Sequence, residues 1–435
     1  MEGTQASHAF TLTLVFAAAL LASLLVKFWL ATRQIRHVAA HRDAVPSAFA
    51  QTIGLSAHQR AADYTLAKAR FGLISMAVAA TVLLGWTLLG GIDLLNATVR
   101  NAVQPRFGDL AYQLVLLGAF AAIGAVIELP LDLYSTFHIE QRFGFNRTTW
   151  KLYVADMAKS ALVGLLIGTP VAALILWLMH AAGSLWWLWA WAVWMAFNLL
   201  ILVLYPTVIA PLFNKFEPLA DEVLKARVQQ LMARCGFAAK GLFVMDGSRR
   251  SAHGNAYFTG FGAAKRVVFF DTLLNKLSPG EVEAVLAHEL GHFKHKHVIK
   301  RIGVMFALSL AGFALLGWLS VQPWFYAGLG VRPSLTAPND ALALLLFLLA
   351  APVFTFFVSP LFAQVSRKHE FQADAYACRQ ASGGDLAAAL LKLHEDNAST
   401  LTPDPLYVRF YYSHPPASER LAALAKADAP VSSVA

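Results

Sequence analysis

Residues 185–213 read LWWLWAWAVWMAFNLLILVLYPTVIAPLF, a run without a single Asp, Glu, Lys or Arg. A helix needs about 20 mainly apolar residues to cross the hydrocarbon core of a bilayer, and this run is long enough. Six further apolar stretches lie near 9–31, 71–94, 110–134, 160–180, 302–320 and 341–363. The sequence therefore predicts an all-α polytopic membrane protein with seven transmembrane helices.

The composition of the 435-residue chain supports this fold class. Hydrophobic residues make up 57% and charged residues only 14%, whereas an ordinary soluble domain has about 25% charged residues. This composition excludes an ordinary soluble enzyme and an intrinsically disordered protein. Two cysteines, Cys235 and Cys378, are too few for a disulfide framework, so we expect reduced thiols facing the cytosol.

The first apolar run is interpreted as a retained transmembrane helix rather than a cleaved signal peptide. Its basic residues, Arg33 and Arg36, follow the apolar run instead of preceding it. No small-residue cleavage site is convincing, so we expect the helix to stay in the protein.

The net charge of +9 is distributed unevenly along the chain. Fourteen of the 35 Lys and Arg residues lie in the segment 214–301. The loops predicted on the opposite side of the membrane hold only three: Arg100, Arg106 and Arg332. By the positive-inside rule, the amino terminus lies outside and the long polar segments lie in the cytoplasm. The positive charge therefore indicates how the protein is oriented in the membrane. We expect the lipid bilayer as a partner and no nucleic-acid binding.

Two polar segments alternate with the apolar regions. We expect an amino-terminal membrane region over 1–213 with five helices, a cytoplasmic segment over 214–301, two more membrane helices over 302–363 and a second polar segment over 364–435. The polar segments must meet in space if they form one domain.

The first polar segment also contains β-like runs. These runs lie at Leu242–Met245, Ala256–Phe261 and Arg266–Phe270, with a turn containing Gly262 between the last two. We therefore expect a small β-hairpin or sheet beside the helices.

The strongest chemical signal is the sequence His288-Glu289-Leu290-Gly291-His292. On a helix, residues four apart share one face, so both imidazoles can bind one metal ion while Glu289 lies beside its open position. The preceding Ser278-Pro279-Gly280-Glu281 is typical of a helix start with a capping box. The motif predicts a catalytic zinc site.

A catalytic zinc ion usually has three protein ligands. The best candidate for the third is Glu370, which lies just after the seventh apolar run with Asp374 four residues later. Both carboxylates would face the same way on a helix, so one can bind the metal and the other can accept the free N–H of a ligand histidine.

Other histidines compete for the third position: His295, His297 and His369. His295 shares a face with His288 and His292, but three ligands on one straight helix would span about 10 Å. We interpret Lys294-His295-Lys296-His297 as a basic patch facing anionic lipid instead.

Six segments, in this order, resemble the type I CAAX prenyl proteases, which are integral-membrane zinc endopeptidases of the gluzincin class. They are Tyr134–Asn146, Ile209–Leu219, His253–Tyr257, the HELGH motif, Ser366–Asp374 and Ser413–Arg420. The resemblance runs from about residue 10 to 425. Gly254 departs from it, because the family commonly has serine there.

The resemblance implies seven helices around a large chamber, with a cytoplasmic gluzincin-like domain that binds one zinc ion. It implies His288, His292 and Glu370 as zinc ligands, Glu289 as the catalytic base and Asp374 as the residue that orients a ligand histidine. It also implies that Asn255 holds the substrate backbone and that His414 stabilises the tetrahedral intermediate. Eukaryotic members of this family remove the last three residues of prenylated CAAX proteins.

The substrate expectation is a peptide or protein that is either prenylated or, in a bacterial homologue, a target of membrane-protein quality control. We therefore expect the protein to reside in a bacterial inner membrane or in a membrane of the ER type. Two alternatives compete: a transporter or scaffold with a structural metal, and a shorter class of membrane protease. A structural zinc site has four protein ligands and needs no adjacent base, so Glu289 argues against the first. The number of helices before the motif argues against the second.

Overall fold

Long apolar helices form most of the computed structural model, which describes residues 2–238, 241–259, 266–334 and 337–428. Seven helical segments among these residues are long and apolar enough to cross a membrane: Gly3–Ala40, Leu55–Trp86, Gly91–Glu140, Trp150–Ala181, Gly183–Phe213, His297–Leu319 and Asp340–Gln380. The predicted number of seven is confirmed.

The first half of the described chain is helical apart from short connections. Its α-helices are α1 (Glu2–Ala40), α2 (Leu55–Trp86), α3 (Gly91–Tyr134), α4 (Trp150–Ala181), α5 (Trp186–Leu204) and α6 (Ala210–Phe213). Short 3-10 turns lie at Ser47–Phe49 and Gly183–Leu185, and π-helical turns extend α3 and α5 at Ser135–Glu140 and Tyr205–Ile209.

The end of the second predicted span, near residue 94, is wrong. Helix α2 ends at Trp86, and α3 begins at Gly91. Gly90, the residue that precedes α3, has a φ of 81°, a left-handed conformation that glycine adopts without steric cost. A continuous apolar run cannot show this break, because hydropathy averages over it.

The stretch 95–109 between the second and third predicted spans, a predicted loop that contains Arg100 and Arg106, is also mostly helical. Helix α3 begins at Gly91 and is interrupted at Gly108, where φ is 79° and ψ is −178°. The polar character of this stretch identified an exposed segment, but it did not distinguish an exposed helix from a loop. A kink at one glycine therefore replaces the predicted loop.

The second half of the chain contains the remaining helices. They are α7 (Glu222–Arg234), α8 (Asp271–Leu274), α9 (Pro279–Lys294), α10 (His297–Leu319), α11 (Pro323–Gly328), α12 (Asp340–Thr355), α13 (Ser359–Gln380), α14 (Gly383–Asp396), α15 (Pro405–Tyr411) and α16 (Ala417–Asp428). Short 3-10 turns lie at Gly247–Arg249 and Phe356–Val358. Because the second of these turns joins α12 to α13, the seventh apolar helix leads directly into the helix that contains Glu370.

A four-stranded sheet lies beside these helices. Its strands are β1 (Phe216–Pro218), β2 (Gly241–Met245), β3 (Ala256–Thr259) and β4 (Arg266–Phe270), in the spatial order β1-β2-β4-β3. Strand β2 is parallel to β4, while β1 and β3 are antiparallel to their neighbours. The prediction missed β1, which is only three residues long. The predicted turn at Gly262 lies outside the described residues.

Two large hydrophobic cores organise the fold. One core lies among the membrane helices, and the other joins the sheet to α7, α9, α13 and α14. In the second core, Val267 of β4, Leu286 of α9 and Ala389 of α14 are almost fully buried. The two polar segments therefore pack into one unit, although two membrane helices separate them in the sequence.

Candidate metal centre

Helix α9 holds the HELGH motif, and its start is stabilised as the sequence predicts. The Ser278 hydroxyl accepts a hydrogen bond from the Glu281 N–H, and the Glu281 carboxylate accepts one from the Ser278 N–H at 2.7 Å. Pro279 occupies the first helical position, where a missing N–H costs nothing. The capping box thus fixes the helix from which His288 and His292 project.

Helices α9 and α13 cross closely at Gly291. A Cβ at this glycine would lie 2.8 Å from the Cα of Ala373, closer than side chains pack, so only glycine permits the approach. Ala373 is fully buried and lies between Glu370 and Asp374. Two small residues at the crossing therefore bring the acidic residues of α13 against the histidines of α9.

Three donor atoms meet at this crossing. His288 Nε2 and His292 Nε2 are 3.3 Å apart, and each lies 3.4 Å from a carboxylate oxygen of Glu370. Among the described residues, these three side chains form a cluster of potential metal ligands with all donor atoms within 4.8 Å. His295, the alternative ligand immediately after α9, is not part of that cluster.

The arrangement fits a zinc ion. Tetrahedral zinc with ligands at 2.0–2.1 Å keeps its ligand atoms about 3.3 Å apart, close to the separations seen here. Glu370 is only 3% exposed, and its buried Oε2 accepts no hydrogen bond from the described residues. This oxygen lies 3.4 Å from His288 Nε2 and 3.7 Å from Arg420 Nη1, so its surroundings keep Glu370 anionic and suited to bind a cation. Two imidazoles and one carboxylate also form a donor set typical of catalytic zinc sites.

Asp374 holds His288 from the opposite side of its ring. Asp374 Oδ1 lies 2.8 Å from His288 Nδ1, which leaves Nε2 free to face the cluster. Burial by itself lowers the pKa of His288, but the neighbouring carboxylates of Asp374 and Glu370 outweigh burial and raise the pKa to about 9. The site therefore favours positive charge at this position, which a proton or a metal ion can supply.

Sequence reasoning missed a buried arginine at this site. Arg420 of α16 is 8% exposed and makes two hydrogen bonds to the Asp374 carboxylate. It lies in the Ser413–Arg420 segment, which carried part of the family resemblance, but its burial depends on tertiary packing. The structure thus adds Arg420 to the residues that shape the metal centre.

The basic-patch interpretation of Lys294–His297 is wrong for His297. This residue is 4% exposed, and its Nδ1 lies 3.1 Å from Nδ1 of His292. Lys296 adopts a left-handed φ of 57°, which ends α9 and turns the chain inward. The sequence pattern cannot show this turn, because lysine rarely adopts such a conformation.

Of the other predicted site residues, Glu289 and His414 lie beside the cluster, and Asn255 lies at the start of a strand. Glu289 is half-buried on α9 beside the ligand histidines. His414 is exposed, with Nε2 3.4 Å from Oε1 of Glu370. Asn255 is exposed immediately before β3, and its Oδ1 accepts a hydrogen bond from the Ala256 N–H at 2.8 Å.

Two family models together match nearly the whole chain. Residues 34–215 match the CAAX prenyl protease N-terminal family, described as five membrane helices, and residues 218–428 match peptidase family M48. The five helices that precede the metal motif argue against the shorter class of membrane protease.

Relatives of this chain match most of its length. It is 35% identical over 403 residues to the CAAX prenyl protease 1 homolog of Oryza sativa subsp. japonica, which covers 90% of this chain and 93% of the relative. It is 35% identical over 383 residues to CAAX prenyl protease 1 of Saccharomyces cerevisiae, covering 83% and 84%. The CAAX prenyl protease 1 homolog of Homo sapiens is 32% identical over 458 residues, covering 94% and 95%.

The fold also matches a solved structure. The crystal structure of S. mikatae Ste24p has a TM-score of 0.88 and 31% sequence identity, covering 95% of this chain and 99% of that chain. These likenesses do not favour a transporter or a scaffold with a structural metal. The chain belongs to the CAAX prenyl protease 1 family of M48 peptidases and is a membrane-embedded zinc metallopeptidase.

Proposed function

We propose that His288, His292 and Glu370 bind one zinc ion per chain and that Glu289 is the general base of peptide hydrolysis. The observation that carries this proposal is the separation of 3.3–3.4 Å between the three donor groups around the buried Glu370 carboxylate. A structural zinc would need a fourth protein ligand, whereas a catalytic one keeps an open position.

The metal ion, Glu289 and Asp374 have different roles in the proposed hydrolysis. When bound, zinc polarises the scissile carbonyl and lowers the pKa of a water molecule. Glu289 takes the proton from that water and passes it to the leaving amine, as a carboxylate next to a ligand can do. Asp374 keeps His288 in the tautomer that presents Nε2 to the metal.

Strand β3 supplies a binding edge for the substrate. Among the described residues it pairs only with β4 and lies at the end of the sheet. An extended peptide can add to such an edge through backbone hydrogen bonds. Asn255, exposed at the start of β3, is positioned to hold the peptide backbone by its side-chain amide.

His414 completes the proposed site. Its exposed imidazole lies beside Glu370, so it can donate a hydrogen bond to the oxyanion that forms during hydrolysis. Such donors stabilise developing charge more than they stabilise the substrate.

The substrate we propose is a prenylated protein or peptide cleaved near its carboxyl terminus. The relatives in rice, yeast and human are named CAAX prenyl proteases, and this chain matches them over most of its length. The excess of Lys and Arg in 214–301 supports a catalytic unit on the cytoplasmic side of an inner or ER-type membrane. That unit consists of segments 214–301 and 364–435, which flank the last two membrane helices.

The test is cleavage of a prenylated peptide and its unprenylated counterpart by the purified full-length protein in detergent. We expect Glu289→Gln to lower the cleavage rate about 10²–10⁴-fold while the protein still binds zinc. Glu222→Gln, on the exposed start of α7, is the matched control and should keep full activity. Wild-type protein that binds zinc but cleaves neither peptide would overturn the proposed reaction. Equal cleavage of both peptides would overturn only the preference for prenylated substrates.

A further inference from the structure

His297 contacts the metal centre from outside the ligand set. It is the first residue of α10 and is 4% exposed. Its Nδ1 lies 3.1 Å from Nδ1 of His292, within hydrogen-bond distance. His288 has Asp374 as the partner of its Nδ1, and His297 occupies the corresponding position beside His292.

Metal binding fixes the direction of this hydrogen bond. If His292 binds a cation through Nε2, its single remaining proton lies on Nδ1. His292 Nδ1–H must then donate to Nδ1 of His297, which has to be unprotonated. The proton of neutral His297 is consequently on Nε2.

Gln372 fits this arrangement at the far side of the ring. Its Oε1 lies 2.9 Å from Nε2 of His297, so it can accept the proton that the metal-bound state places there. Gln372 is on α13, two residues after Glu370. The chain of hydrogen bonds therefore runs from one metal ligand to the helix that holds another.

Neighbouring rings restrict the orientation of His297. His369 stacks on it with ring centroids 3.9 Å apart and an interplanar angle of 12°, and His295 stacks at 5.4 Å and 15°. The left-handed Lys296 places His297 in this stack. A non-glycine residue keeps such a backbone conformation only when surrounding contacts compensate for its cost.

We propose that His297 is a positioning residue for His292. The His297 ring accepts a hydrogen bond from Nδ1–H of His292, and Gln372 fixes the tautomer of His297. The protein binds zinc more tightly as a result. This inference rests on the proposed role of His292 as a metal ligand. The acceptor holds the His292 ring in the plane that directs Nε2 toward the cluster. Losing such a partner typically weakens metal binding about 10–100-fold.

The test is the zinc affinity of the metal-stripped, full-length protein, measured by competition with a chromophoric chelator. His297→Leu removes the acceptor, and we expect zinc to bind about 10–100-fold more weakly. His297→Asn places an amide oxygen near the position of Nδ1, so it should retain most of the wild-type affinity. His369→Leu removes a stacked ring without removing the hydrogen bond and should also bind zinc nearly as wild type does.

The possible results show whether the role of His297 or the metal site itself is wrong. If His297→Leu binds zinc as tightly as wild type, the inference is wrong although the metal site stands. If His297→Asn and His369→Leu lose as much affinity as His297→Leu, packing rather than hydrogen bonding explains the loss, and the inference is again wrong. If the wild-type protein binds no zinc, the proposed metal site fails first.

Discussion

Arg420 donates a hydrogen bond from Nε to Oδ2 of Asp374 across 2.8 Å and another from Nη2 to Oδ1 across 2.5 Å. Both side chains are buried, and the two residues, 46 positions apart in the sequence, lie on different helices. Because Asp374 also holds His288, this ion pair attaches the carboxyl-terminal helix α16 to the metal centre. Helix α16, the last one in the described part of the chain, therefore helps to hold the metal centre in place.

Replacing Arg420 by methionine should destabilise the protein strongly. The change leaves the Asp374 carboxylate buried without its guanidinium partner, and breaking a buried ion pair in this way costs about 3–5 kcal/mol. Denaturant unfolding of the purified protein in detergent measures the loss. Lys225→Met, which breaks the exposed pair with Glu222, is the control and should cost less than about 1 kcal/mol. Equal stability of the two variants would contradict the role of Arg420.

Zinc affinity should rise with pH. Since the pKa of His288 in the metal-free protein is raised to about 9, a proton must leave this imidazole before it can bind zinc. Affinity should increase about tenfold per pH unit between pH 6.5 and 9 and then level off. Chelator competition at several pH values, with the chelator calibrated at each, measures this slope. An affinity that stays constant over this range would rule out the raised pKa.

The same pKa shift affects the stability of the metal-free protein. A raised pKa in the folded state stabilises the fold below the unfolded value of 6.5, and this contribution is lost as the pH rises through about 9. Metal-free protein should therefore unfold more easily at pH 9 than at pH 6.5. Bound zinc should remove this particular dependence, because it replaces the proton.

Removing the imidazole of His414 should slow catalysis without releasing the metal. Loss of one hydrogen-bond donor to an oxyanion typically lowers kcat about 10²–10³-fold. We expect His414→Ala to show this decrease and His414→Gln, whose amide can still donate, to recover part of it. Steady-state kinetics with zinc content measured in parallel provide the test. A wild-type kcat for His414→Ala would exclude the proposed role.

Asn255→Ala should weaken substrate binding more than turnover. One hydrogen bond to a peptide backbone is worth about 1 kcal/mol, which predicts a three- to tenfold rise in KM with little change in kcat. Asn255→Asp keeps the hydrogen bond to the Ala256 N–H but loses the amide donor, so it should behave like the alanine variant. An aspartate variant with wild-type KM would show that Asn255 acts only through its local turn.

The membrane helices could be predicted from the sequence because each contains an apolar run of sufficient length. The helix breaks near Gly90 and Gly108 could not be predicted, because a single glycine with a positive φ does not change the average hydropathy. Helix α9 could also be predicted, since its capping box and its HELGH motif are local features of the sequence. Local spacing was enough to pair His288 with His292.

The remainder of the site depends on contacts between distant segments. The approach of α13 at Gly291 brings Glu370 to the histidines, and local spacing alone left other histidines open as third ligands. Arg420 and His297 act through burial beside Asp374 and His292, and burial of charged or basic side chains is a property of the folded chain. Sequence patterns near a metal motif therefore predict the ligands better than the residues that hold them.

Zinc content is the most direct test of the central claim that His288, His292 and Glu370 bind one catalytic zinc ion. The measurement is the number of zinc atoms per chain in purified wild type, Glu370→Ala and the control His295→Ala, after dialysis against a weak chelator. We predict one zinc per chain in wild type and His295→Ala and a large loss in Glu370→Ala. Full zinc retention in Glu370→Ala, or its loss in His295→Ala, would contradict this assignment of the third ligand.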